Sequence, residues 1–90
     1  MLWVGHFDLT TSLGIPGQFE HPQFLAAVER IIDACRRHGK APGILVSSAL
    51  EARTRLAQGF RLLAYGGDLW LYQQALREGL ASVRDLASNP

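Results

Sequence analysis

The sequence predicts an α/β protein: a βαβαβα unit with parallel strands. Two observations predict it. Short apolar runs, each bounded by glycine or proline, alternate with longer segments whose apolar residues recur every three or four positions. Alternating strands and helices imply parallel strands, because each helix carries the chain back to the same edge of the sheet. The first two runs are also near-continuously apolar, as in strands covered on both faces.

Leu2-Trp3-Val4 is the first strand and stops at Gly5. Residues 9–20 hold Gly14, Pro16 and Gly17 and read as a loop. His21 caps or pads the next helix and Pro22 suits its first turn. Phe24, Leu25, Val28, Ile31, Ile32 and Cys35 then fall on one apolar face. Gly39 stops this helix, after Arg36, Arg37 and His38, which are favourable cations at a helix C-terminus.

Gly43-Ile44-Leu45-Val46 is the second strand. Ser48-Ala49-Leu50-Glu51 has the spacing of a capping box, in which Ser48 accepts from the Glu51 amide and Glu51 reaches back to the Ser48 amide. Leu50, Arg53 and Leu56-Ala57 follow, and Gly59 ends the helix. Arg61-Leu62-Leu63-Ala64-Tyr65 is the third strand, closed by Gly66-Gly67. Asp68 caps a last helix with an apolar face of Leu69, Tyr72, Leu76, Leu80 and Val83; Asn89-Pro90 is a frayed end. Trp3 and Trp70 read as core or interface aromatics.

The chain of 90 residues suits one small domain over residues 1–90. Its net charge of +1, with scattered basic residues, offers no electrostatic case for nucleic acid or an anionic membrane. No apolar run approaches the roughly 20 residues that span a bilayer. Met1 leads straight into Leu2-Trp3-Val4 without a basic segment, so no signal peptide is expected. Cys35 is the lone cysteine and lies on the apolar face, which reads as a buried structural thiol in a reducing, cytoplasmic setting.

Asp8 is the leading site candidate. At the carboxyl end of a parallel strand it reads as a metal ligand or general acid/base, since ligands of α/β proteins bind there. It reads equally as a loop carboxylate that accepts the amides of Thr10 or Thr11. His6, His21 and His38 lack metal-site spacing. Gly14-Ile15-Pro16-Gly17 is no phosphate loop, and no Gly-x-Gly-x-x-Gly is present. Gly66-Gly67-Asp68 reads as an anion cradle at a helix start or as a tight turn with an Asp cap. Ser47 and Ser48 read as capping residues rather than nucleophiles.

Gly5-His6-Phe7-Asp8-Leu9-Thr10-Thr11-Ser12-Leu13-Gly14 resembles the Gly-Pro-x-Asp-Leu-Ser-x-Ser-Leu-Gly signature of the HpcH/HpaI aldolases. The resemblance continues through Pro16-Gly17 and His21-Pro22. Gly39-Lys40-Ala41-Pro42-Gly43-Ile44-Leu45 is similar to the family's Gly-Lys-x-x-Gly-Ile marker. Gly59-Phe60-Arg61 and Tyr65-Gly66-Gly67-Asp68 resemble its Gly-x-x-x-x-x-x-Gly-x-Asp stretch. The motifs run in order along nearly the whole chain.

The resemblance implies a (β/α)8 barrel of roughly 250 residues. This chain would be its carboxyl-terminal portion, from the sixth strand onward, with Met1 an internal methionine or an artificial start. It implies class II aldol cleavage of a 2-oxo acid to pyruvate and an aldehyde, in a cytoplasmic homo-oligomer. A divalent metal, Mg or Mn, would chelate the oxo acid and stabilise the pyruvate enolate. Asp8 matches the metal-binding aspartate, Gly5, His6 and Phe7 the backbone beside the pyruvate moiety, and Leu45 a position near the aldehyde end. The second metal ligand, a glutamate, and the histidine and arginine of the family's acid/base work lie outside this sequence. Neither Glu20 nor Glu51 matches them, so the isolated chain is expected to be inactive. His6-Phe7 departs from the usual Pro and small residue and alters the wall of the oxo-acid pocket.

Overall fold

The computed structural model describes residues 1–88; Asn89-Pro90, read as a frayed end, lies outside the described residues. The order is β1 (Leu2–Val4), α1 (His6–Ser12), α2 (Pro22–Arg37), β2 (Pro42–Val46), α3 (Ala49–Gln58), β3 (Leu62–Tyr65) and α4 (Asp68–Ser88). The three strands form one parallel sheet in the order β1-β2-β3. Val4 pairs with Ile44, and Val46 with Tyr65, so the carboxyl ends of the strands share one edge.

The core lies between one face of the sheet and α2, α3 and α1. Ile44 and Val46 of β2 and Val4 of β1 meet Phe24, Val28 and Ile32 of α2, and Phe60 closes it from below β3. Cys35 is buried on the same face of α2, as expected of a structural thiol. Leu25, assigned to that face, is 42% exposed, because it sits one residue round the helix from Phe24.

The loop expected over residues 9–20 is in part a helix. The Gly5 carbonyl accepts from Leu9 N–H (2.8 Å), and α1 runs to Ser12 before Leu13 and Gly14 turn out of it. No glycine or proline interrupts residues 6–13, and the hydroxyls of Thr10 and Thr11 fold back onto the Phe7 carbonyl (2.9 Å each) without disturbing the turn. Thr10 Oγ1 also accepts from Gly17 N–H (2.9 Å), which pins the following loop.

The helix ends follow the sequence closely. His21 Nδ1 accepts from Gln23 N–H (3.1 Å) with Pro22 at the first helical position. Lys40 N–H reaches the Cys35 carbonyl (2.8 Å) past Gly39 at φ 65°, a Schellman-type ending. Ser48 Oγ accepts from Glu51 N–H (3.1 Å). The returning Glu51 carboxylate takes Ser47 N–H (3.0 Å) and Ser47 Oγ–H (2.8 Å), one residue earlier than a capping box requires. Asp68 lies inside α4: the Gly67 carbonyl accepts from Leu71 N–H (2.9 Å), while Asp68 Oδ1 accepts from Leu69 N–H (2.8 Å).

Trp3 and Trp70 are 46% and 59% exposed, so of the core and interface readings the core one falls. No residue of α4 is buried, and Leu69, Tyr72, Leu76, Leu80 and Val83 all face outward. The central strand β2 is the most buried, and β1 and β3 are partly exposed. The molecule extends over 60 × 27 × 20 Å. Its radius of gyration of 17.3 Å exceeds the roughly 12 Å of a compact chain this long.

Candidate functional site

β1 delivers the chain to Gly5, and α1 immediately turns Asp8 back over it. A Cβ at position 5 would lie 2.9 Å from Asp8 Oδ2, so only glycine leaves the carboxylate room at the strand end. Asp8 is exposed and, among the described residues, takes no hydrogen bond and no ion pair. The loop-carboxylate reading is therefore not what the structure holds: Thr10 and Thr11 serve α1 and the Gly17 turn.

His6 stands one strand-end step away and is only 6% exposed. Its ring packs 4.8 Å from Phe7 and 5.0 Å from Phe19, and Phe7 meets Phe19 edge-on at 4.9 Å. These rings wall a cavity of about 650 Å³ at the carboxyl ends of β1 and β2. Leu45, Val46 and Ser47 floor it, α3 contributes Glu51, Thr54, Arg55 and Gln58, and Trp70 rims it. His6, Phe7 and Leu45, all read from the sequence as site residues, thus meet at one cavity, while Gly5 and Asp8 lie beside it.

Arg55 is the residue that sequence reasoning missed. It is 4% exposed, with Nη1 donating to Gln58 Oε1 (3.1 Å) and Nη2 4.0 Å from Glu51 Oε1. Its guanidinium carbon lies 5.9 Å from the Phe19 ring centre and 5.6 Å from that of Phe24. Its Nε is enclosed with no acceptor. The available signal was the Glu51/Arg55 pair at i,i+4, which ordinarily marks a solvated helix face. Leu50 and Leu56 are instead the exposed side chains of α3, at 72% and 55%.

Burial pushes the His6 imidazole below its ordinary value, and the nearby Arg55 charge adds to this against a weaker pull from Glu51. Burial would raise Glu51, but the two Ser47 hydrogen bonds and Arg55 outweigh it and hold the carboxyl below its usual range. Burial also lowers Arg55, partly offset by Glu51.

Among the described residues no three His, Cys, Asp or Glu side chains gather to hold a metal ion. Asp8 offers one hard oxygen ligand with free lone pairs, where Mg²⁺ or Ca²⁺-type cations take six or more oxygens. One ligand fits such an ion; a complete site does not arise from these residues. Of the amides at the start of α4, Gly66 N–H donates to the Val46 carbonyl (2.8 Å) and Leu69 N–H to Asp68 Oδ1 (2.8 Å), which favours the tight turn over the anion cradle. No helix among the described residues is long and apolar enough to cross a membrane.

Parallel strands joined by helices, with a free carboxylate and a cavity at their carboxyl ends, define an α/β protein with its candidate site at the carboxyl edge of the sheet. The family model for HpcH/HpaI aldolase/citrate lyase matches residues 1–75. The chain is 39% identical over 83 residues to a hydroxypyruvate/pyruvate aldolase of Chromohalobacter salexigens, covering 92% of this chain and 33% of that protein. It is 36% identical over 89 residues to a 2-keto-3-deoxy-L-rhamnonate aldolase of Klebsiella pneumoniae, covering 99% and 33%. Among solved structures, an HpcH/HpaI aldolase/citrate lyase family protein of Burkholderia cenocepacia matches with a TM-score of 0.85 at 35% identity, over 92% of this chain and 32% of that one. An HpcH/HpaI aldolase of Desulfitobacterium hafniense matches with a TM-score of 0.78 at 28% identity, over 91% and 32%. The chain belongs to the HpcH/HpaI aldolase/citrate lyase family. It spans about a third of the length of the curated relatives it matches.

Proposed function

We propose that this chain is the carboxyl-terminal third of a metal-dependent class II aldolase that cleaves a 4-hydroxy-2-oxo acid to pyruvate and an aldehyde. The observation that carries the reading is Asp8: a carboxylate free of partners, folded over a glycine at the end of a parallel strand, inside the segment the family model matches. An exposed carboxylate with no protein partner keeps its lone pairs open to solvent or to a cation.

Asp8 would supply one oxygen to a divalent cation, Mg or Mn, whose remaining protein ligands come from outside this chain. When bound, such a cation acts as a Lewis acid toward the 2-oxo group. Gly5 leaves space for the carboxylate, His6 and Phe7 form the wall beside the oxo acid, and Leu45 lies toward the aldehyde end. The buried Cys35 suits a reducing, cytoplasmic setting.

The test is a chimera in which the 83 matched residues replace the matching third of the Chromohalobacter salexigens aldolase. We expect metal-dependent pyruvate release from the folded chimera and none from the isolated chain, which lacks the histidine and arginine that the resemblance assigns to acid/base work. A folded chimera without pyruvate release refutes the reading.

A second reading, assembly through copies of the chain, is favoured by one observation: α4 buries none of its residues while presenting a row of apolar side chains. The unpaired edges of β1 and β3 among the described residues add to it.

A further inference from the structure

We propose that the cavity between the His6, Phe7 and Phe19 rings and α3, which runs on from the oxo-acid wall at His6 and Phe7 to Leu45, takes the part of the substrate beyond the oxo acid and selects an uncharged aromatic group there. The word substrate rests on the aldolase reading above; the ligand class rests on the cavity itself. Its volume of about 650 Å³ lies in the range of small-molecule pockets. Three rings lie 4.8–5.0 Å from one another, tilted or edge-on, and with Trp70 they give the cavity an aromatic lining.

The polar groups decide the charge of the occupant. His6 is only 6% exposed, and its ring has no hydrogen-bond partner among the described residues. Its nitrogens are not fully enclosed, so they can meet a neutral hydroxyl or carbonyl of an occupant. Arg55 does not make this an anion site. Its guanidinium is occupied by Gln58 and approached by Glu51, and its free Nε is sealed from the cavity. The Glu51 side chain is 27% exposed against 5% for that of Arg55. Glu20 lines the same space, so an entering anion meets two carboxylates and one covered cation. A polyhydroxylated chain would lose its water against aromatic and aliphatic walls with few groups to replace it.

The experiment is an NMR titration of the 90-residue chain with 4-hydroxybenzyl alcohol, 4-hydroxybenzoate and erythritol. The alcohol should shift the His6 ring, Phe7 and the Trp70 indole together, and bind at least tenfold more tightly than the other two. Phe7→Ala should weaken it at least fivefold; Phe7 is 61% exposed, and an unchanged spectrum away from the cavity verifies that the variant folds. Benzoate or erythritol binding as tightly as the alcohol, shifts that miss these three residues, or an unaffected Phe7→Ala overturns the proposal. Binding is read without turnover. A chain that binds the alcohol in this way, but whose chimera releases no pyruvate, sinks the aldolase reading and leaves the pocket assignment standing.

Discussion

At the scale of single residues, the pair Gly5 and Asp8 behaves as one unit. A methyl at position 5 would press on Asp8 Oδ2 at 2.9 Å, the far end of a flexible side chain. Gly5→Ala should therefore fold with little loss yet displace the carboxylate. In the chimera we expect pyruvate release to fall by roughly tenfold to a hundredfold, the size of effect that an ångström of misplacement produces. Thr10 is fully buried and holds both the Phe7 carbonyl and the Gly17 amide. Thr10→Val strands that amide and should destabilise by about 1–3 kcal/mol in urea denaturation. Glu51 gives the pH dependence. Its folded-state value lies below the ordinary 4.5, so its contribution is fully present above 4.5 and is lost as pH falls through the folded value. Glu51→Gln should flatten the acid limb of stability against pH; an identical slope contradicts this. The position of Asp8 was legible in the sequence because a strand, a glycine and an acid lie in immediate succession. The burial of Arg55 was not, because a Glu/Arg pair at i,i+4 has the same local pattern on a wet face as beside a cavity.

At the scale of elements, glycine placement and caps carried most of the fold. Gly59 takes φ 110°, and a Cβ there would stand 2.8 Å from Ile32 Cγ2. Gly59→Ala combines left-handed backbone with a clash against the core and should cost about 1–3 kcal/mol. An unfolding free energy within about 0.5 kcal/mol of the parent would contradict the need for glycine at the end of α3. The strands and α2, α3 and α4 could all be read from periodicity and breakers. α1 could not, since seven residues hold too few apolar positions to show a helical period, and Thr and Ser pointed towards a loop. The capping serine was legible; the carboxylate's choice of Ser47 over Ser48 was not, because it depends on the backbone angle at which β2 enters α3.

At the scale of the molecule, the chain has a covered face and a bare one. The layer formed by α1, α2 and α3 buries Phe24, Val28, Ile32, Ile44 and Phe60, while Trp3, Tyr65 and the apolar row of α4 remain exposed. Sequence alone cannot distinguish an apolar helix face that packs within its own chain from one that packs on something else; the periodicity is the same. Light scattering at micromolar concentration should give a mass above the 9.9 kDa of one chain, and substituting Leu76 and Leu80 by Glu should return it to that of a monomer. A strict monomer at all concentrations contradicts assembly through α4. The most direct measurement concerns Asp8 in the chimera with the Chromohalobacter salexigens aldolase: metal-dependent pyruvate release before and after Asp8→Asn, with circular dichroism to verify that both fold. The expected result is a loss of at least about a hundredfold with the fold unchanged. Pyruvate release that is equal in the two proteins would mean that Asp8 is not the carboxylate around which this site is built.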